Sequence, residues 1–175
     1  MMMNETLKTI YGRHSVRAYK PEQITAEELE TVLRAGEYAP TANNQQSPVF
    51  VAVQDKEIID QFGELGMRVK NLDSTPFYGA PSVVLVFAKI GCSEPFADGC
   101  LALQNMMLAA HSIGLGSCWI NCVKKIFDTD DGKALKSKLG LGDDYMSVGS
   151  VILGYAAQDL PAAAPRKDDY VIYVK

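Results

Sequence analysis

The sequence predicts an α+β domain in which helices are layered on one sheet. Three observations predict it: helical and extended patterns interleave along the chain, no segment repeats, and one long apolar stretch is interrupted too often to be a membrane span and too apolar to lie on a surface. The 175 residues fall within the range of a single domain. With 47% hydrophobic and 22% charged residues, the chain carries enough apolar surface to build a core and is unlike a disordered polymer.

The elements follow in order. A short amphipathic start spans Thr6 to Tyr11, and the segment from Arg13 to Tyr19 alternates in side-chain character and reads as extended, with Pro21 forcing a loop after it. Thr25 and Glu28 have capping-box spacing, and Leu29, Val32, Leu33 and Gly36 follow at helical intervals, so a helix begins there and ends before Pro40. Thr41 to Ser47 is polar and loop-like, and Pro48 to Val53 is a short strand rich in β-branched and aromatic residues. Ile58, Phe62, Leu65 and Val69 recur at helical spacing. The loop from Asn71 to Pro81, punctuated by proline and glycine, leads into a strand from Ser82 to Ala88.

The most apolar stretch runs from Ala97 to Ile120. Asp98, Gln104, Asn105, His111 and Ser112 interrupt it and Gly114-Leu115-Gly116 breaks it, so it reads as a helix from Phe96 to about Ile113, buried on nearly all sides, then a turn and a strand from Ser117 to Asn121. A helix covered so completely is expected where two subunits meet. Thr129 caps a small helix reaching Leu139, Ser147 to Tyr155 is a strand, and Gln158 to Pro165 is a linker-like run of alanine and proline. Tyr170 to Val174 returns to a β-prone alternation and is expected to join a sheet edge.

The formal charge of −4 gives no general attraction for nucleic acid or an anionic membrane, so small-molecule chemistry is expected. No basic segment followed by an apolar run opens the chain, which predicts a cytoplasmic protein. Cys92, Cys100, Cys118 and Cys122 are expected as free thiols, since they form no C-x-x-C pair and no zinc-ligand pattern. Gly114-Leu115-Gly116 precedes a strand and lacks the third glycine of a dinucleotide fingerprint. There is no Walker A sequence, no G-x-S-x-G and no H-E-x-x-H, and two histidines make a histidine-based triad a poor reading.

What remains is a basic cluster near the start of the chain and a second, Arg166-Lys167, near its end. On an extended segment Arg13, Ser15 and Arg17 project together, and two guanidinium forks with a hydroxyl make a receptor for phosphate. The same pattern also describes a solvated charged strand.

The motif Arg13-His14-Ser15-Val16-Arg17 resembles the R-x-S-x-R/K opening of the FMN-dependent nitroreductase family, NAD(P)H-dependent flavin oxidoreductases. Further matches fall in the family's order: Ala39-Pro40-Thr41-Ala42-Asn43-Asn44-Gln45-Gln46, then Ala80-Pro81 before an apolar strand, then Asp98 to Trp119. Ile152-Leu153-Gly154-Tyr155 and Pro165-Arg166-Lys167 close the series. The resemblance covers nearly the whole chain. It implies a three-layer fold with a mixed central sheet, one domain over residues 1–175, and an intertwined homodimer whose segment from about 160 to 175 embraces the partner.

Carried over residue by residue, the resemblance implies that Arg13 and Ser15 hold the FMN phosphate with Arg166, beside which stands Lys167, while His14 lies near the ribityl chain. Arg17 would reach the pyrimidine end of the ring, where a positive charge favours the anionic reduced flavin and raises its potential. Thr41, Asn44 and Gln46 would come from the partner subunit. Trp119 and Ile120 lead to Asn121 and Cys122, whose backbone N–H groups would approach the flavin N5 edge. Serine and proline stand at 47 and 48, where many members carry Pro-Trp. The chain is short for the family, which implies a more open pocket.

The activity so implied is a ping-pong exchange in which NADH or NADPH reduces FMN and a nitroaromatic, quinone or similar small acceptor then takes two electrons. No residue is expected as an obligatory general base, and no metal is expected. The rival readings are a flavin-binding or flavin-delivery protein and a specialised flavin enzyme, such as a dehalogenase, on the same fold.

Overall fold

Four stretches in which β-branched, aromatic and other apolar residues predominate supply the sheet: Pro48–Val53 (β1), Ser82–Lys89 (β2), Gly116–Ile120 (β3) and Tyr145–Gly154 (β4). In the computed structural model, which describes residues 2–159 and 163–175, they pair in the order β1-β2-β4-β3, every neighbouring pair antiparallel. The sheet is thus antiparallel and not the mixed one expected; a single isolated parallel bridge, Ser15 to Ser117, lies outside its strands on the outer side of β3. Between Val86 and Phe87 the register slips, so that Val148 is the extra residue of a bulge in β4.

The central strand β2 is buried over seven successive residues because both faces are covered. Its alternate side chains enter two cores. Val83, Leu85 and Phe87 face one core, shared with the helices Lys56–Lys70 (α3), Val123–Ile126 (α5) and Asp130–Lys138 (α6). Val84, Val86 and Ala88 face the other, shared with Ala26–Glu37 (α2) and Pro95–Ser112 (α4). Glu5–Gly12 (α1) lies outside and packs on α4. The three layers expected from the resemblance are therefore present.

Local chemistry explains the helix ends. The Thr25 hydroxyl accepts from the Glu28 N–H while the Glu28 carboxylate accepts from the Thr25 N–H, the reciprocal box read from the sequence. The same Thr25 N–H bond holds the Glu28 carboxyl below the usual carboxylate range. Asp55 caps α3 and Thr129 caps α6 by side-chain acceptance alone, without the reciprocal bond. Helices α2 and α4 meet closely at Gly36, where a Cβ would stand 2.3 Å from the Met106 methyl, and Asn105 donates to the Ala35 carbonyl at 3.1 Å.

Three further expectations need correction. α5 was not foreseen, because four residues are too few to show a helical period. α4 is not covered on nearly every side in the single chain: Phe96 and Leu101 are 41% and 44% exposed. Tyr170 to Val174 does not join the sheet of its own chain; Asp168–Tyr170 forms one 3₁₀ turn and the residues beyond are exposed. β-propensity alone supplies no free edge to pair with. In the linker-like run from 158 to 165, residues 160–162 lie outside the described residues.

Phe62 is fully buried and meets Phe127 edge-on at 5.7 Å, so Phe62→Ala should destabilise the fold by about 3–5 kcal/mol. Thr25→Ala, which removes one cap, should cost about 1 kcal/mol. Denaturant unfolding curves of the two variants check both the sizes and their order.

Candidate functional site

The first strip of the site begins where α1 ends. The Arg13 N–H still donates to the Thr9 carbonyl, after which the chain runs extended and the Val16 N–H donates to Ser117 of β3 at 2.9 Å. Val16 is buried against Gly116, where a Cβ would lie 3.0 Å from its methyl group, so glycine lets the segment approach the strand. The segment then crosses to the exit of β4, where the Lys20 N–H donates to Tyr155 and the Ala157 N–H to Ala18. Tyr19, buried and with its hydroxyl pushed to a higher pKa chiefly by that burial, donates to the Val16 carbonyl.

Burying Val16 and Tyr19 leaves Ser15 and Arg17 exposed, with Arg13 and His14 half-buried. Among the described residues neither Arg13 nor Arg17 has an acidic partner. Two guanidinium groups without counter-ions beside a free hydroxyl suit a phosphate. Behind them the imidazole of His111, in the last turn of α4, fills the space beside Gly12, within 2.8 Å of where a Cβ would stand. Burial, then His14 and Arg13, push its pKa below the ordinary histidine value.

The second strip is the end of β3. The ladder to β4 stops at Ile120, which is buried, and α5 starts at Val123, so Asn121 and Cys122 lie between strand and helix. Neither of their N–H groups donates to a backbone carbonyl among the described residues. The Cys122 thiol is buried against Gly66 of α3 and burial pushes its pKa up, so it stays a protonated packing group. Trp119 lies over Gly149, its indole Nε1 buried without a partner, so its side chain is part of the core. This strip therefore offers backbone donors. Asn121 stands four residues beyond Ser117, roughly 13 Å along the strand from the first strip.

The third strip is the loop from Thr41 to Ser47. Its φ angles at Asn43, Asn44 and Gln46 are 53°, 54° and 49°, a left-handed run without a glycine. The Thr41 hydroxyl accepts from the Gln46 N–H at 3.0 Å, and Gln46 donates to the Asn44 side chain at 3.3 Å. Asn43 and Gln45 are tied to Ser93, by 3.1 Å and 2.7 Å hydrogen bonds. The Asp98 carboxylate of α4, 2% exposed, accepts from the Ala42 N–H at 2.9 Å and the Ser47 hydroxyl at 2.8 Å.

The single chain does not bring the three strips together. His111 ties the first to the C-terminal end of α4, and Asp98 ties the third to its N-terminal end. The thirteen helical steps from Asp98 to His111 separate the two by about 20 Å along the helix. Arg166 and Lys167 are exposed; Arg166 donates to the Ala164 carbonyl and Lys167 pairs with Asp169, and no hydrogen bond or ion pair joins them to Arg13 or Arg17 among the described residues. Sequence reading passed over Asp98, Ser47, Ser93 and His111. The available signal was a lone acid in an apolar run, since a buried carboxylate requires donors.

No group of three or more His, Cys, Asp or Glu residues able to hold a metal occurs among the described residues, and no helix there is long and apolar enough to cross a membrane. The class defined by fold and site is a layered α+β domain with an anion-receptive edge at the start of β3 and, past the end of the same strand, two N–H groups that donate to no backbone carbonyl among the described residues.

The chain belongs to the nitroreductase family, whose model matches residues 10–69 and 64–155. It is 32% identical over 161 residues to a protein of Archaeoglobus fulgidus that carries the provisional name NADH dehydrogenase/NAD(P)H nitroreductase, a match covering 87% of this chain and 86% of that one. An NAD(P)H-dependent FMN reductase of Bacillus subtilis is 26% identical over 181 residues, covering 94% of this chain and 70% of that one. The crystal structure of a nitroreductase with bound FMN from Bacteroides fragilis superposes with a TM-score of 0.91 at 30% identity, over 99% of this chain and all of that one.

The depressed pKa of His111 has a measurable sign. The unfolded chain takes up this proton as pH falls below 6.5 while the folded chain resists it, so the contribution to stability is present above that value and is lost below it. In FMN-free protein, the denaturation midpoint should fall between about pH 7.5 and about pH 5.5, and His111→Gln should flatten that fall. An unchanged slope in the variant would remove His111 from this role.

Proposed function

We propose that this protein is an FMN-dependent oxidoreductase that takes electrons from NADH or NADPH and passes two of them to a small acceptor such as a nitroaromatic or a quinone. Bound FMN supplies the redox chemistry; the chain supplies position, charge and a planar site. Membership of the family supports the reading, as do relatives named for NAD(P)H and FMN and neighbours with FMN bound.

Arg13 and Ser15, helped by Arg166 and Lys167, hold the phosphate, with His14 alongside. Arg17 sits at the pyrimidine end, and the backbone of Asn121 and Cys122 donates to the N5 edge. The free N–H groups there and the unpaired guanidinium groups fit the cofactor's ring and phosphate respectively.

The observation that carries the oligomeric part is the separation of the strips along α4. One chain holds the arginine strip at one end of this helix and the Thr41–Ser47 loop at the other, so Thr41, Asn44 and Gln46 serve the site of a second copy. A two-fold pairing with the α4 helices antiparallel sets the loop of each chain beside the arginine strip of its partner. The exposed faces of Phe96 and Leu101 suit such a contact. Ser15 and Val16 occupy the outer side of β3, which leaves β1 as the open sheet edge, and the exposed residues 170–174 of the partner pair there. The four cysteines are free, which suits a reducing compartment, and we place the protein in the cytoplasm.

Purified protein should be yellow, release FMN on heating and bleach anaerobically with NADH or NADPH. Release of FAD, or failure to bind flavin on reconstitution, would overturn the assignment. Arg13→Ala should weaken FMN binding by about 1.5–3 kcal/mol, and Arg17→Ala should lower the flavin potential in spectroelectrochemistry. Deleting residues 168–175 should shift the mass toward monomer and release FMN in parallel, both effects depending on concentration. Sedimentation read at the flavin band tests this, and a monomer with full flavin occupancy would exclude a shared site.

A further inference from the structure

The loop that carries Thr41, Asn44 and Gln46 has a backbone that its own sequence does not favour. Asn43, Asn44 and Gln46 all lie in the left-handed region, with φ near 53°, 54° and 49°. Each such residue is held there against its preference, and a cluster of them persists only where the surroundings over-determine it. The bonds inside the loop brace its turns only: the Thr41 hydroxyl accepts from the Gln46 N–H, the Gln46 amide donates to the Asn44 side chain, and the Asn44 and Gln45 N–H groups donate to the Thr41 and Ala42 carbonyls, but none of these ties the loop to the rest of the fold.

The determining contacts come from α4 and the turn before it. One oxygen of the Asp98 carboxylate accepts from the Ala42 N–H at the loop's entry, and the other accepts from the Ser47 hydroxyl at its exit, at 2.9 and 2.8 Å. Both Asp98 and Ser47 are buried, at 2% and 3% exposed, so these are water-excluded, charge-assisted bonds that tie both ends of the loop to one residue. Ser93, in the turn before α4, accepts from the Asn43 amide and donates its N–H to Gln45, which adds two more ties between the loop and that turn. Asn44 and Gln46 are exposed and bond only each other through their side chains, so they remain available to a partner.

We propose that Asp98 is a positioning residue for the cofactor site. It clamps the loop in the conformation that presents Asn44 and Gln46, and so fixes the flavin-binding contribution of each chain to the helix that pairs the two chains. Asp98 does not touch the flavin and acts only through the Ala42 backbone and Ser47. The inference rests on the reading of the loop as part of the FMN site of a partner.

The test uses the full-length protein and the dissociation constant of FMN measured by fluorescence quenching, together with the unfolding midpoint of the FMN-free form. Asp98→Ala leaves two donors without an acceptor and should raise the dissociation constant at least about tenfold. Asp98→Asn can accept from Ala42 with its carbonyl and donate to the Ser47 oxygen with its amide, so it should restore binding to within about threefold of the parent. Ser47→Ala breaks one of the two ties, keeps the fold in reach if Asp98→Ala does not fold, and should fall between them. An unchanged FMN affinity in Ser47→Ala or Asp98→Ala, whatever the unfolding midpoint, would overturn the proposal. So would an Asn variant that binds no better than the Ala variant, because the requirement would then be for charge and not for loop geometry. Asn44→Ala with Gln46→Ala separates the two levels: parental affinity in that double variant sinks the reading of the loop itself, whereas weakened affinity there beside normal affinity in the Asp98 and Ser47 variants sinks only the role of Asp98.

Discussion

A carboxylate removed from water must be met by donors, and in this protein the donors chosen for Asp98 decide where the polar loop sits. The helix that carries it, α4, packs on β4 and β2 with one side and on α2 with another, so its position is set by both the sheet and the outer layer. Its C-terminal turn supports the arginine strip through His111, and its N-terminal turn supports the loop through Asp98. The spacing between these two anchor points is a property of helical rise and is therefore rigid. Geometry that a flexible chain would have to find by chance is built into one element.

The sheet imposes the complementary restriction. Its two-sided burial makes β2 apolar from Val83 to Ala88 and β4 largely so, with the buried Ser150 hydroxyl satisfied by the Ile120 carbonyl, and the polar groups of the arginine strip lie along the outer side of β3. The segment from Arg13 to Tyr19 uses that outer side by spending Val16 and Tyr19 on packing and keeping Ser15 and Arg17 free. Beyond Ile120 the ladder to β4 stops, and the N–H groups of the next two residues donate to no backbone carbonyl among the described residues. A backbone N–H without a carbonyl partner is open to another acceptor.

Much of this was legible in the sequence. Capping residues Thr25 and Thr129 located α2 and α6, the recurrence of Ile58, Phe62, Leu65 and Val69 located α3, and the long interrupted apolar run located α4. The two-core burial of β2 is written in its unbroken apolar run. The arginine strip was visible through alternation at Arg13, Ser15 and Arg17, although alternation alone could not say that Val16 and Tyr19 would be the buried pair. The short α5 lacked enough residues to show a period. The roles of Asp98 and His111 depend on contacts 56 and roughly 100 residues away in sequence, to Ala42 and Gly12, and no local pattern encodes such a distance. The β-prone end, Tyr170 to Val174, showed its propensity but not its partner, since pairing requires an edge and the chain's own sheet does not take it.

The open side of β1 also bears on how the chain survives its own synthesis. A solitary copy presents two adhesive features at once, an unpaired strand edge and a tail rich in tyrosine, valine and isoleucine. Unpaired edges and exposed β-prone segments are what recruit chains into aggregates, and β1 carries no lysine, aspartate or glutamate within its six residues to discourage such pairing. If two copies pair as proposed, these surfaces are bare only until the copies meet, and mutations that slow that encounter would surface first as insoluble protein, with the folded remainder still sound.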